Sequence, residues 1–451
     1  MRRPYHDQLP LSGPLGDHVH CRELKAMSDL LDRLPECVQW VHDDLGTTGR
    51  ADKGREAMTA EQVLRALIVK QMNDFSYEEL AFHLSDSRAY AAFCRLNALG
   101  RIPRRSSLQA NIKRVRPETM ERINRAVVQV AVEAKVETGT KTRTDCTVVE
   151  TNIHEPTDST LLWDCVRVLC RLMNAGAEEF GLKFQDHSRR GKRRTIGILN
   201  AKDQQQRRRL YADLIKTTRK TMTQAQRIAK DLDGVNCSDM MQALRATSTA
   251  AEIRRYLGLA ERVVAQTTRR VLDLEKVPAS EKIVSIFEPH TDIILKDRRA
   301  TLYGHKVCLA TGASGLVLDL VFCEGNPADS TLALNMAQRQ RDLLRRAPRQ
   351  MVFDGGFASR ANVSDIKAVG VEDVAFTKHV GLKVTDMTRS TWVMRKLRRF
   401  RAGVEAGISF LKRVFGFGRC SWSGFASFKA YAWCSVVAAN LLVLARHLLP
   451  L

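Results

Sequence analysis

The stretch Arg401-Ala-Gly-Val-Glu405-Ala-Gly-Ile-Ser-Phe-Leu-Lys412 places one carboxylate between two cations. At about 3.6 residues per helical turn, Arg401, Glu405 and Lys412 fall on one stripe, with Val404, Ile408, Leu411 and Phe415 on an apolar stripe beside it. Gly403 and Gly407 predict that a second backbone comes close to this helix, which would offset their low helix propensity. Taken alone, the segment is an amphipathic helix with a salt-bridged flank. Two carboxylates upstream change that reading.

Asp145 lies inside Thr144-Asp-Cys-Thr-Val-Val-Glu-Thr-Asn-Ile153, a β-branched run that predicts a strand. Asp354 ends the short apolar strand signal Met351-Val-Phe353 and is followed by Gly355 and Gly356, where missing side chains leave room for close approach. A carboxylate in a buried strand is costly unless its charge is cancelled, and several brought together need a cation to stay ionised. Magnesium suits such a set, because it prefers oxygen ligands and takes one or two carboxylates with phosphate and water.

These segments resemble the DDE-type insertion-sequence transposases, and within them the ISNCY group. The resemblance is carried by Thr144–His154, Asp158-Ser-Thr-Leu161, Gly304-His-Lys306, Gly325-Asn-Pro-Ala-Asp-Ser330, Phe353–Ser359 and Phe400–Glu405. It implies a ribonuclease-H-like catalytic core and puts the family's acidic triad on Asp145, Asp354 and Glu405. The related Tyr-x2-Arg-x3-Glu-x6-Lys signature falls on Arg401, Glu405 and Lys412, with Arg398 where the signature has Tyr. It further implies phosphoryl transfer with two magnesium ions, for which manganese is a possible substitute. Asp145 would bridge both ions while Asp354 and Glu405 each support one; Arg401 and Lys412 would meet phosphate oxygens. The implied partners are double-stranded DNA, as terminal inverted repeats and as target, and a second copy of the chain. Two other readings remain at this stage: a metal-dependent nuclease of the same fold, and an inactive copy that only binds DNA.

The 451 residues carry a formal charge of +22, so a polyanion is the expected partner. Eleven scattered cysteines without a Cys-x-x-Cys pair fit reduced thiols in the cytoplasm better than a disulfide framework. Cys146 is expected to be a buried hydrophobe and not a nucleophile. The start lacks the apolar run of a signal peptide, and the last apolar stretch reads as a packed helix, so no membrane partner is expected. No glycine loop for phosphates is found, hence no nucleotide cofactor.

The expected architecture is α/β: a ribonuclease-H-like mixed sheet with a helical N-terminal domain and a large helical insertion. Residues 1–55 read as an arm and 56–136 as a helical domain for DNA binding or dimerisation. The catalytic core takes 137–160 and 281–420, a basic helical insertion takes 161–280, and a packing helix takes 421–451. In the N-terminal domain, Ser76 and Ser106 are predicted to open capping boxes, with Arg104 and Arg105 facing phosphate. In the insertion, Arg190, Lys192, Arg193 and Arg194 are expected to line a DNA groove. A strand signal resumes at Lys282–Phe287, followed by a hairpin of Lys306–Thr311 with Leu316–Phe322 around Gly312 and Gly315. Asp319, within that hairpin, is the strongest rival acid, and Asp292, Asp297 and Asp329 also compete.

Overall fold

The computed structural model describes residues 18–46, 57–96, 102–296, 300–378 and 381–449. Seven helices come first: α1 (Val19–Asp32), α2 (Pro35–Leu45), α3 (Ala60–Met72), α4 (Tyr77–Asp86), α5 (Arg88–Phe93), α6 (Arg105–Ile112) and α7 (Pro117–Glu133). Strand β1 (Lys141–Glu150) precedes α8 (Asp158–Phe180), α9 (Ser188–Leu199), α10 (Gln204–Asp233) and α11 (Met240–Thr267). Then come β2 (Asp292–Lys296), β3 (Ala300–Thr311), β4 (Val317–Phe322), α12 (Ala333–Leu344), β5 (Gln350–Phe353), α13 (Arg360–Ala368) and β6 (Asp373–Phe376). Helices α14 (Val384–Met387), α15 (Thr391–Val414) and α16 (Phe425–Leu448) close the chain. Two compact units result, one of residues 1–150 with 305–451 and one of 151–304.

In the first unit, β4 pairs antiparallel with β3, β3 neighbours β1, and β1, β5 and β6 run parallel. This is the ribonuclease-H-like mixed sheet. The register sets Lys141 opposite Gln350 and Thr144 opposite Phe353, so Asp145 and Asp354 each follow a paired residue at the same end of neighbouring strands. Helix α15 packs across β1, β5 and β6. It begins at Thr391, capped by Ser390, and buries Val404 and Leu411, with Phe415 buried just past its end and Ile408 half-buried on the predicted apolar stripe.

Helices α1 and α2 correct the reading of residues 1–55 as an arm. Leu24, Met27, Leu30, Leu31, Cys37 and Val41 are buried in the same core as α3, α7 and α16, so residues 19–45 are part of the packed body. Residues 1–17 and 47–55 of that arm lie outside the described residues. Ser76 forms its capping box with Glu79, whereas α6 starts at Arg105 without a side-chain cap, which overturns the box expected at Ser106. Helix α16 is long and apolar enough to cross a membrane, yet 89% of its most apolar window is buried. Its neighbours α1, α3 and α7 explain that apolarity as core packing.

The second unit is a helical body in which α8, α10 and α11 pack on one another and α9 on α8 and α10. Residues 282–287 do not form the predicted strand. Ile283 and Ile286 are buried in the helical core, and Gln266 satisfies the backbone of Ile283 by accepting its N–H (2.9 Å) and donating to its carbonyl (3.0 Å). Further on, β2 pairs antiparallel with the first residues of β3, Asp292 opposite Gly304.

Candidate active site

Three acids drawn from distant parts of the chain meet one guanidinium. Arg401 Nη2 lies 2.8 Å from Asp145 Oδ2 and 3.3 Å from Asp354 Oδ1, and Nη1 lies 2.7 Å from Glu405 Oε1. One nitrogen therefore reaches both aspartates, and the other turns to the glutamate one helical turn along α15. Strand β1 supplies Asp145, the end of β5 supplies Asp354, and α15 supplies Arg401 and Glu405.

Each aspartate is fixed by its own backbone and neighbours. Asp145 Oδ1 accepts the Cys146 N–H at 2.8 Å. Asp354 stands at the residue before the short turn Gly355–Phe357, and its Oδ1 accepts the Thr377 hydroxyl at 2.9 Å. Thr377 follows β6, the strand parallel to β5, and its carbonyl accepts Arg398 Nη2 at 2.9 Å. Arg398, expected at DNA, thus acts on the residue that orients Asp354. Thr377 was missed in the sequence; the only signal was a hydroxyl residue ending the strand signal after Asp354.

The electrostatics separate the two aspartates. Burial pushes the Asp145 carboxyl above its ordinary range; Asp354 and Asp329 add to the rise, while Arg401 and the Cys146 N–H oppose it. At Asp354 burial also pushes upward, but the Gly355 N–H, the Thr377 hydroxyl, Arg401 and Lys378 outweigh it and hold the carboxyl below its usual range. Even with a guanidinium in contact, burial leaves the ionised form of Asp145 disfavoured.

That desolvation cost bears on a divalent cation. Among the described residues, no group of three or more His, Cys, Asp or Glu side chains is arranged to hold a metal ion, because the three carboxylates are arrayed around Arg401 instead of a common point. The donor set itself fits: all its atoms are hard carboxylate oxygens, and two of them already share a single positively charged partner.

The glycines act differently from expectation. A Cβ at Gly355 would meet the Lys378 side chain at 2.7 Å, and one at Gly356 would meet Asp329 Oδ2 at 2.7 Å, so the room they leave is filled by side chains of the chain itself. Gly403 allows Arg143 to cross α15 and donate to the Phe400 carbonyl at 2.8 Å. Around Gly407 there is open space, so the close backbone approach predicted there does not occur.

The rival acid Asp319 is removed from the site by Arg339, which donates Nε and Nη2 to its two oxygens at 2.6 and 2.7 Å. Asp329 is paired with Lys306 at 2.5 Å and stands beside Gly356. Asp297 lies outside the described residues. Cys146 is half-buried, and its thiol is pushed far up, first by a hydrogen bond with Cys308 and then by burial, which suits an apolar packing residue and not a nucleophile. Lys412, about 10 Å along the helix from Glu405, lines a separate cavity of about 390 Å³ with Asp74, Glu150 and Arg419.

In the helical unit, Arg190 and Arg194 both pair with Asp213, leaving Lys192 and Arg193 as exposed charges. Arg104 and Arg105 are exposed at the start of α6, with Arg105 3.5 Å from Glu78.

The mixed sheet, with acids gathered at the ends of its parallel strands, defines the class as proteins with a ribonuclease-H-like core. Comparison with known families supplies the particular one: residues 294–441 match the transposase DDE domain and residues 19–114 the transposase domain (DUF772). The chain belongs to the DDE transposases of insertion sequences, enzymes that move DNA; neither match assigns it to the ISNCY group. The DDE match includes Asp354 and Glu405 but begins at residue 294, within the last part of the second unit, so Asp145 lies outside it. No curated protein and no solved structure matches the chain.

Proposed function

We propose that this chain cuts DNA at the terminal inverted repeats of its element and joins the freed strands to target DNA, with Asp145, Asp354 and Glu405 as its catalytic acids. The supporting observation is the convergence of these three carboxylates on Arg401. They would hold Mg2+, or Mn2+ in its place, as DDE transposases generally use divalent metals. Bound there, the metal supplies Lewis-acid activation of a water or 3′ hydroxyl and stabilises the leaving oxygen.

The chain's own residues do the positioning. The Cys146 N–H and the Thr377 hydroxyl aim the two aspartates. Arg401, which spans the three carboxylates, would turn its planar fork toward a phosphate oxygen of the bound strand. Arg398 keeps the Thr377 backbone in place while that happens. Exposed Lys192, Arg193, Arg104 and Arg105 bind the DNA backbone without reading its sequence. Two element ends call for at least a dimer, and the reaction runs in the cytoplasm without a nucleotide cofactor.

Incubating the purified chain with Mg2+ and DNA bearing the terminal repeats tests this. Joined products support transposition; cut ends alone would make it a nuclease, and bound but intact DNA a binding protein. Asp145→Asn, Asp354→Asn and Glu405→Gln should each lower cleavage by about a thousand-fold or more while DNA affinity is kept. Normal cleavage by any one variant removes that residue from the triad.

A further inference from the structure

At the end of the sheet where β1 and β5 begin, opposite the end that carries Asp354, lies a cavity of about 570 Å³. Lys141, Arg349, Arg389 and Lys396 line it, together with Ser390 and Trp392 at the start of α15. Two of the cations are partly spent: Arg349 lies 2.9 Å from Glu372, and Arg389 lies 3.1 Å from Asp373 and 3.7 Å from Glu372. Lys141 and Lys396 are exposed and form no ion pair among the described residues. The cavity is therefore net positive after its own acids are counted.

Two further features point to the kind of ligand. Trp392 is 57% exposed, an unusual cost for a large aromatic ring, and Lys396 Nζ sits 3.9 Å from its ring centroid, fixing it by a cation–π contact. The ring also stands in the first turn of a 24-residue helix, where only Val393 N–H is taken by the Ser390 cap and the earlier N–H groups have no intrahelical partner. Cations, free amides and an aromatic platform together match a nucleotide unit: anion to the helix start and lysines, base to the indole.

From this cavity an exposed stripe runs along α15 through Arg395, Lys396 and Arg399, residues that share a face at helical spacing. It heads toward the turn carrying Arg401, about 13 Å from Trp392 along the helix axis. We propose that the cavity is a second DNA site, which takes an unpaired nucleotide of a strand a few residues away from the phosphate being cut. This rests on DNA being the substrate, but not on which acids perform the cleavage.

The test measures tryptophan fluorescence and anisotropy with a single-stranded oligothymidylate, a blunt duplex and inorganic phosphate, on the full chain with a chelator of divalent cations present. The single strand should quench indole emission more than the duplex does. Trp392→Ala should abolish that quenching and weaken single-strand binding about ten-fold, whereas Trp392→Phe should retain most of the affinity. Lys141→Ala and Lys396→Ala should each lower the slope of log affinity against log salt by about 0.7. Unchanged quenching in Trp392→Ala, equal quenching by the duplex, or binding of phosphate alone would each overturn the proposal. If oligonucleotide binding follows these variants while the end-bearing DNA is never cut by the unmodified chain, the second site stands and the transposition reading falls.

Discussion

The active-site cluster and the helical unit handle charge in opposite ways. In the cluster three acids surround one cation, and the more buried aspartate is still pushed toward its neutral form. In the helical unit the cations are in excess, yet many are matched locally: Arg190 and Arg194 by Asp213, Arg245 by Glu179, Arg254 by Asp233, and Arg269 by Glu275 and Glu281. A run of basic letters therefore overstates the charge presented to DNA, while isolated acidic letters understate a site whose members meet only in the fold. The contrast also has an energetic side. Surface pairs contribute little to stability, whereas a half-cancelled buried acid keeps a standing cost that a bound cation can relieve.

The sharpest way to break this comparison is thermal unfolding of Asp145→Asn and Asp354→Asn in the presence of a chelator. Asp145 has its pKa raised by folding, so its contribution is full below the unfolded value and is lost as pH rises through the folded value. Asp145→Asn should thus raise the melting temperature at neutral pH, by about 2 °C, and give no such gain near pH 3. Asp354 is held low, so its contribution is present above the unfolded value and is lost as pH falls. Asp354→Asn should accordingly lower the melting temperature at neutral pH. Shifts of the same sign in both variants would show that the two acids do not differ as described.

On the helical side, DNA titrations at several salt concentrations should rank the cations by their pairing. Lys192→Ala and Arg193→Ala should each reduce the salt slope by about 0.9, and Arg190→Ala and Arg194→Ala by less, because Asp213 already holds them. Asp213→Asn should tighten binding. Equal slopes for all four single variants would mean that the local pairs give way to DNA.

The smallest effects concern the glycines of α15. Gly407→Ala, facing open space, should stabilise the fold by about 0.5–1 kcal/mol in denaturant unfolding. Gly403→Ala should be about 1 kcal/mol worse than Gly407→Ala, since its methyl displaces Arg143 from the Phe400 carbonyl. Equal stability in the two variants would remove the role given to Gly403.

These glycines show where sequence reading reached its limit. The apolar stripe of α15 was legible because Val404, Leu411 and Phe415 recur at helical period, but nothing in the letters distinguishes a glycine crossed by an arginine from one beside empty space. The strand signal at 282–287 failed for a related reason: Ile283 and Ile286 suit a strand or a packed helical core equally, and the Gln266 side chain replaced the missing sheet partner. Asp319 had the right setting for a catalytic acid, and only the position of Arg339 showed it to be an ion pair.

The sequence by itself determined the elements that recur at short range: the helices and strands bearing Asp145, Asp354 and Glu405, the capping box at Ser76, and the strongly basic balance that calls for a polyanion. Tertiary structure alone decided which acids meet, that Arg401 stands among them, that Thr377 and Arg398 aim Asp354, and which basic side chains remain available. The physical reason is range. Periodicity and capping act over a few residues of chain, whereas burial and ion pairing depend on side chains brought together across hundreds of residues.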